Sequence, residues 1–154
     1  GLYYHYGIKK YILPKKLFGI YPNTAVAPYD PLLKGMDDVF NIPMSRHTEI
    51  DQKAVLNHPE LSVLACGKEC GVSIIKSRDD KKIFLTGHSE YDRDTLHKEY
   101  RRDVDKGETI EPPVNYYTER GDAVNMSWKS AANLIFYNWL NYYVYQVTPY
   151  DIES

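Results

Sequence analysis

His88 and Glu90 are the two side chains in this sequence best spaced to handle a proton together. They stand in Thr86-Gly87-His88-Ser89-Glu90-Tyr91-Asp92, directly after the short apolar run Ile83-Phe84-Leu85. On extended backbone, residues i and i+2 point to the same side. The carboxylate can then fix the imidazole tautomer while the other ring nitrogen moves a proton. The same two residues also suit an ordinary hydrogen-bonded surface corner, the commoner use of such a pair. A base and its orienter make up two thirds of a nucleophile–base–orienter set. The third member is a nucleophile.

The chain offers two thiols, Cys66 and Cys70. Cys66 closes an apolar strand and Cys70 falls in a hairpin turn, so neither heads a helix whose N-terminus would depress a thiol pKa. Four residues apart, they form neither a zinc framework nor a secreted disulfide scaffold, and reduced thiols in a cytoplasmic protein are expected. No GxGxxG, GxxxxGK or GxSxG is present, so the dinucleotide, P-loop and serine-hydrolase turns are missing. His88-x-Glu90 matches part of a zinc deaminase signature, but that site needs a downstream Cys-x-x-Cys, and both cysteines lie upstream. The expectation is no metal and no resident cofactor.

At 154 residues and 43% apolar, the chain is long enough for one globular domain with a substantial core. A net charge of −2, with basic residues scattered or paired with acids as in Arg78-Asp79-Asp80-Lys81-Lys82, argues against nucleic-acid and anionic-membrane partners. No run in this sequence is apolar enough for long enough to span a bilayer, and no targeting signal is expected. Fifteen tyrosines suggest broad amphipathic packing surfaces or an oligomer interface.

The elements that must position the pair follow from periodicity and punctuation. Residues 1–7 read as the tail of a helix stopped by Gly7, an uncapped opening that suggests a piece of a larger fold. Leu17–Tyr21 reads as a strand. Residues 22–38 read as loop because of their prolines, and Pro43–Thr48 as a polar loop. Asp51 caps a short helix over 52–57. Three strands follow closely, at 61–65, 71–75 and 82–86, with turn sequences that predict antiparallel neighbours. A charged helix is expected from Asp92 to Lys106, with Leu96, Tyr100 and Val104 on its apolar stripe and Gly107 at its end. A last helix, about 127–147, carries Trp128, Ala131, Ile135, Trp139, Tyr143 and Val147 along one side. There is no internal repeat or domain boundary, and the pattern is α/β, with a sheet between helices.

The blocks Gly1-Leu2-Tyr3-Tyr4-His5-Tyr6-Gly7-Ile8, Leu17-Phe18-Gly19, Ser45-Arg46-His47-Thr48, Phe84 through Asp92, and Asn138 through Gln146 continuing to Asp151 stand out together. In that combination they resemble the homoserine O-acyltransferase family that includes homoserine O-succinyltransferase. The resemblance runs along nearly the whole chain and implies the C-terminal part of a class I glutamine amidotransferase-like, flavodoxin-like α/β sandwich. It implies transfer of a succinyl group from succinyl-CoA to the L-homoserine hydroxyl through a cysteine thioester, in cytoplasmic methionine biosynthesis, by a homodimer. Acetyl-CoA is the alternative donor. That cysteine sits in an elbow just upstream of the segment matching Gly1. By resemblance His88 is the general base and Glu90 its partner, while Lys16, Ser45 and Arg102 match substrate-binding positions. Lys15 competes with Lys16 and Arg101 with Arg102. A helix starting at Asp92 would place Arg102 about 15 Å along its axis, so either the helix crosses the site or Arg102 is not a direct ligand. Two departures stand out: Met44 where a His is expected, and Ser89 where Pro is common. The rival readings are a cysteine amidase of the same fold and a non-catalytic interaction domain.

Overall fold

The two longest strands run through prolines. In the computed structural model, which describes residues 1–145, β1 (Lys10–Ala25) pairs antiparallel with β2 (Val39–Ile50). The expected loop over 22–38 therefore begins only after Ala25, and the expected loop at Pro43–Thr48 is strand. The prolines fit because no ladder bond is asked of their missing N–H. β2 lies at an edge of the sheet, and β1 meets β3 (Leu61–Gly67) only at Thr24 and Ala25, beyond Pro22.

The β1–β2 register breaks once. Ile12 faces Thr48 and Leu17 faces Arg46, so residues 13–16 oppose His47 alone. The surplus bulges out, with Pro14 inside it, and turns Lys15 and Lys16 away from the ladder.

β4 (Gly71–Ser77) and β5 (Ile83–Leu85) complete a five-stranded sheet of order β2-β1-β3-β4-β5. Every neighbouring pair is antiparallel, which the short connections predict for β3 to β5. α1 (Leu2–Tyr6) stops at Gly7, whose φ of 70° is the left-handed conformation glycine adopts freely. α2 (Gln52–Asn57) is capped by Asp51, whose carboxylate accepts from the Ala54 N–H at 3.1 Å.

α3 spans Thr95–Asp105, starting three residues later than expected. Tyr91 N–H donates to the His88 carbonyl at 3.0 Å and Asp92 N–H to Thr95 Oγ1 at 3.1 Å, so this stretch is spent in turns. α4 (Lys129–Trp139) runs on into a π turn over Leu140–Val144. The extra residue in that turn shifts the phase of the helix. Asn138 is buried and donates to the Leu32 and Lys34 carbonyls, whereas Trp139, expected on the buried side, is 40% exposed. Val147 lies outside the described residues.

Three apolar clusters flank the sheet. Met44, Leu64, Ile74, Ile135 and Tyr143 pack one face; Ile8, Ile50, Val55 and Ile75 pack another. The third gathers Phe18, Ile20, Leu96, Tyr116 and Trp128 and seats α3 against β1. Gly19 makes this third cluster possible. Val114 pairs parallel with β1 there in a single bridge, and a Cβ on Gly19 would lie 2.4 Å from both the nitrogen and the oxygen of Val114.

A buried polar knot ties the C-terminal helix to the sheet. Lys76 Nζ lies 2.5 Å from Asp30 Oδ2 and 2.8 Å from Asp80 Oδ1, and the Tyr143 hydroxyl donates to Asp30 Oδ1. Burial alone would raise the Asp30 carboxyl, but bonds from Lys76, Tyr143 and the Leu32 N–H hold it below its ordinary value. Burial would lower Lys76, yet Asp30 and Asp80 raise it. Burial, then the bond to Asp30, pushes Tyr143 up to about 12. Removing one partner strands the other, so Asp30→Asn is expected to cost about 3 kcal/mol at neutral pH, read as a lower urea midpoint. A depressed carboxyl contributes fully above the unfolded value of about 4 and loses its contribution as pH falls through the folded value. A raised lysine contributes fully below about 10.4 and loses its contribution only as pH climbs through its folded value. The gap between wild type and Asp30→Asn should thus hold from about pH 5 to 10 and close in acid. A gap indifferent to acid would refute the ion-pair account.

Candidate active site

The His88–Glu90 pair forms, but a turn makes it rather than extended strand. Both residues lie beyond the end of β5, in a turn closed by the Tyr91 N–H bond to the His88 carbonyl. His88 Nδ1 lies 3.1 Å from Glu90 Oε1. With Nδ1–H donating to the carboxylate, Nε2 is left as the basic nitrogen. The backbone is held from the other side as well: the His88 N–H donates to the Pro43 carbonyl on β2 at 2.8 Å. The imidazole is 37% exposed and Glu90 71%, so the pair is open to a reacting group.

Tyr91 fixes the face of the imidazole. Its ring stacks on His88 with centroids 4.5 Å apart and planes 5° from parallel. Three bonds fix Tyr91 in turn. Its N–H reaches the His88 carbonyl, its carbonyl accepts from Trp128 Nε1 at 2.9 Å, and its hydroxyl donates to Glu99 Oε1 at 2.8 Å. Burial, then the Glu99 carboxylate, raises the Tyr91 phenol well above its usual value and keeps it a donor. The other Glu99 oxygen, Oε2, accepts from Ser45 Oγ, also at 2.8 Å. Ser45 faces Phe18 across the β1–β2 ladder.

Lys16 and Arg102 meet at a residue the sequence did not single out. Lys16 Nζ lies 3.3 Å from Asp103 Oδ2, and Arg102 Nε 3.3 Å from Asp103 Oδ1. Lys16 also sits over the Phe18 ring, 4.2 Å from its centroid. Burial would raise Asp103, but the bonds from Lys16 and then Arg102 bring its carboxyl below the ordinary value. One carboxylate facing two cations leaves surplus positive charge, suited to a ligand carboxylate. The bulge delivers Lys16, whose side chain is 14% exposed, while Lys15 turns out to Glu111. Arg101 pairs with Asp105 on the outer face of α3. The helix does cross the site, and its start at Thr95 puts Arg102 about 10 Å along the axis.

The five residues singled out by resemblance thus form one connected array. His88 and Glu90 join through Tyr91 and Glu99 to Ser45, and Ser45 through Phe18 to Lys16, Asp103 and Arg102. Tyr91, Glu99 and Asp103 carry no role in the sequence reading. Glu99 and Asp103 are four residues apart on α3, the spacing of one helix face, and that was their only signal.

A cleft of about 930 Å³ opens beside Glu90, walled by Leu85, Tyr91, Met126, Trp128 and Phe136 among others. It runs along the free edge of β5, which pairs only with β4 among the described residues. The thiols stand apart from the array. Cys70 is buried against Asn23 Oδ1 at 3.2 Å, and burial pushes its thiol up. Arg46, next to Ser45, is structural: it donates to the Thr48 carbonyl at 2.6 Å and to the Cys70 carbonyl at 2.7 Å. Among the described residues, no helix is long and apolar enough to cross a membrane.

A curled antiparallel sheet releasing a His–Glu pair past its edge strand has the fold of the class I glutamine amidotransferases. The structure is similar to a glutamine amidotransferase from Thermotoga maritima, with a TM-score of 0.62 at 13% identity, over 90% of this chain and 55% of that one. It is also similar to one from Methylobacillus flagellatus, with a TM-score of 0.56 at 13% identity, over 87% of this chain and 55% of the other. Within that fold the chain belongs to the homoserine O-succinyltransferase family, whose model matches residues 1–150. Its curated relatives carry another acyl name. A homoserine O-acetyltransferase from Agathobacter rectalis is 52% identical over 153 residues, 98% of this chain and 49% of the relative. Another, from Bacillus subtilis, is 46% identical over 152 residues, 98% of this chain and 50% of the relative. The chain spans about half the length of the curated relatives it matches.

Proposed function

We propose that this chain is the C-terminal part of a single homoserine O-acyltransferase domain and supplies its general base and homoserine pocket. The carrying observation is the 3.1 Å His88–Glu90 bond, with the imidazole partly open to solvent and stacked on a fixed tyrosine. The nucleophile in this reading is a cysteine of the N-terminal part, brought to His88 along the free edge of β5. His88 takes the thiol proton as sulfur attacks the acyl-CoA carbonyl; the carbonyl carbon–sulfur bond to CoA breaks, and CoA leaves with that proton. The L-homoserine hydroxyl then attacks the acyl-cysteine, giving its proton to His88, and the cysteine leaves and recovers it. Glu90 stabilises the imidazolium at both stages. Lys16 and Arg102 receive the homoserine carboxylate, and Ser45 lines the same pocket. No resident cofactor enters these steps.

The donor is acetyl-CoA on the names of the relatives and succinyl-CoA on the name of the family. The reading places the enzyme in the cytoplasm, in methionine biosynthesis, as a homodimer. Full-length protein incubated with each acyl-CoA should release CoA, gain one acyl adduct by mass from the true donor, and lose the adduct when L-homoserine is added. CoA release that ignores homoserine, or ammonia release from an amide, would replace this reading with that of a hydrolase or amidase.

A further inference from the structure

We infer that Tyr91 is a positioning residue for the general base, its ring a platform on which the His88 imidazole becomes cationic in each proton transfer. Glu90 meets the imidazole in its plane, 3.1 Å from Nδ1. Tyr91 meets it on a face, with centroids 4.5 Å apart and planes 5° from parallel. The face of an aromatic ring carries negative potential, so an imidazole that turns cationic above it is favoured. A neutral imidazole gains less from the same stack. The platform therefore favours the state that each proton transfer creates, and only such differential interactions speed a step.

The stack is built into the local chain. His88 and Tyr91 are the first and fourth residues of the turn closed by the Tyr91 N–H, and the ends of such a turn lie within about 7 Å at Cα. The rest of the fold then anchors Tyr91. Its carbonyl accepts from Nε1 of Trp128, a residue 1% exposed, and its hydroxyl donates to Glu99 Oε1. Donation to a carboxylate polarises the phenol and enriches the ring face beneath His88. Burial and Glu99 keep that phenol protonated, so the donation persists as the base cycles. Glu90 is 71% exposed and water screens its charge, so a half-buried second partner adds to what Glu90 supplies.

The inference rests on the acyltransferase reading, and the two fail separately. Full-length wild type is compared with Tyr91→Leu, Tyr91→Phe and a series carrying mono-, di- and trifluorinated phenylalanine at the same position. Fluorine drains the negative face at nearly constant shape. Tyr91→Leu should lower kcat for homoserine-dependent CoA release about 2- to 30-fold, the scale of a cation–π contact. Tyr91→Phe should recover most of that loss, and kcat should fall stepwise with each added fluorine. Both half-reactions use the same imidazole, so the CoA burst and the discharge to homoserine should slow alike, with both KM values unchanged. A rate indifferent to fluorine overturns the inference, as does Tyr91→Phe that is as slow as Tyr91→Leu; either result leaves the acyltransferase reading standing. A raised homoserine KM at constant kcat also overturns it, because Tyr91 would then act on the substrate pocket. Wild type that transfers no acyl group to homoserine brings down both readings.

Discussion

His88→Ala in the full-length protein is expected to lower homoserine-dependent CoA release roughly 10²- to 10⁴-fold, the range general base catalysis supplies. The size follows from there being no substitute nearby. Glu90 faces the Nδ1 side, Tyr91 holds a phenol raised far above neutrality, and both thiols lie outside the array. Both half-reactions pass a proton through the same imidazole, so the acyl adduct should form slowly and turn over slowly. The fold should survive, because the ring is more than a third exposed and its backbone bonds to Pro43 and Tyr91 do not involve the side chain. Unchanged activity in this variant would leave only the interaction-domain reading.

Gly87→Ala should damage stability and activity together. The φ of Gly87 lies in the ordinary range, so the objection is space rather than backbone strain. An added Cβ would come within 2.6 Å of the Pro43 carbonyl oxygen, 2.5 Å of an Ile42 methyl and 2.9 Å of the Met44 sulfur. The sulfur can yield; the backbone oxygen cannot, and it is the atom that accepts from the His88 N–H. Relief of the clash must lift the turn off β2. Such overpacking costs about 3 kcal/mol, and a base displaced by an ångström loses about 100-fold in rate. Thermal unfolding and steady-state kinetics should show both losses in one variant. A shift in Tm with undiminished kcat would mean the turn can be repositioned without penalty to the chemistry.

What the sequence revealed and what it hid divide along a physical line. Gly7, Asp51 and the closely spaced strands β3 to β5 are governed by local turn and cap chemistry, and these elements appear where local rules put them. The Pro22 and Pro43 segments were misread because proline excludes a strand only where its N–H would be used. That depends on which neighbour a strand has, a fact no local window contains. The late start of α3 has a similar origin: Asp92 and Asp94 look like first-turn acids, but the tertiary turn around His88 consumes those residues. His88-x-Glu90 was visible as a pair, and Lys16, Ser45 and Arg102 through family resemblance. Nothing local separates Glu99 and Asp103 from the other charges of a charged helix. Their meaning came only when β1 and β2 packed against them.

The knot of Asp30, Lys76 and Tyr143 has a kinetic consequence. Tyr143 and Asp30 are 113 residues apart in the chain, so their bond waits until the C-terminal helix has docked on a formed sheet. The β1–β2 and β3–β4 hairpins close over short distances and can assemble first. Interactions made after the rate-limiting step leave the speed of folding almost untouched and govern how long the folded state lasts. The knot therefore acts as a latch on lifetime, and loosening it would shorten the native state's persistence far more than it would slow its formation.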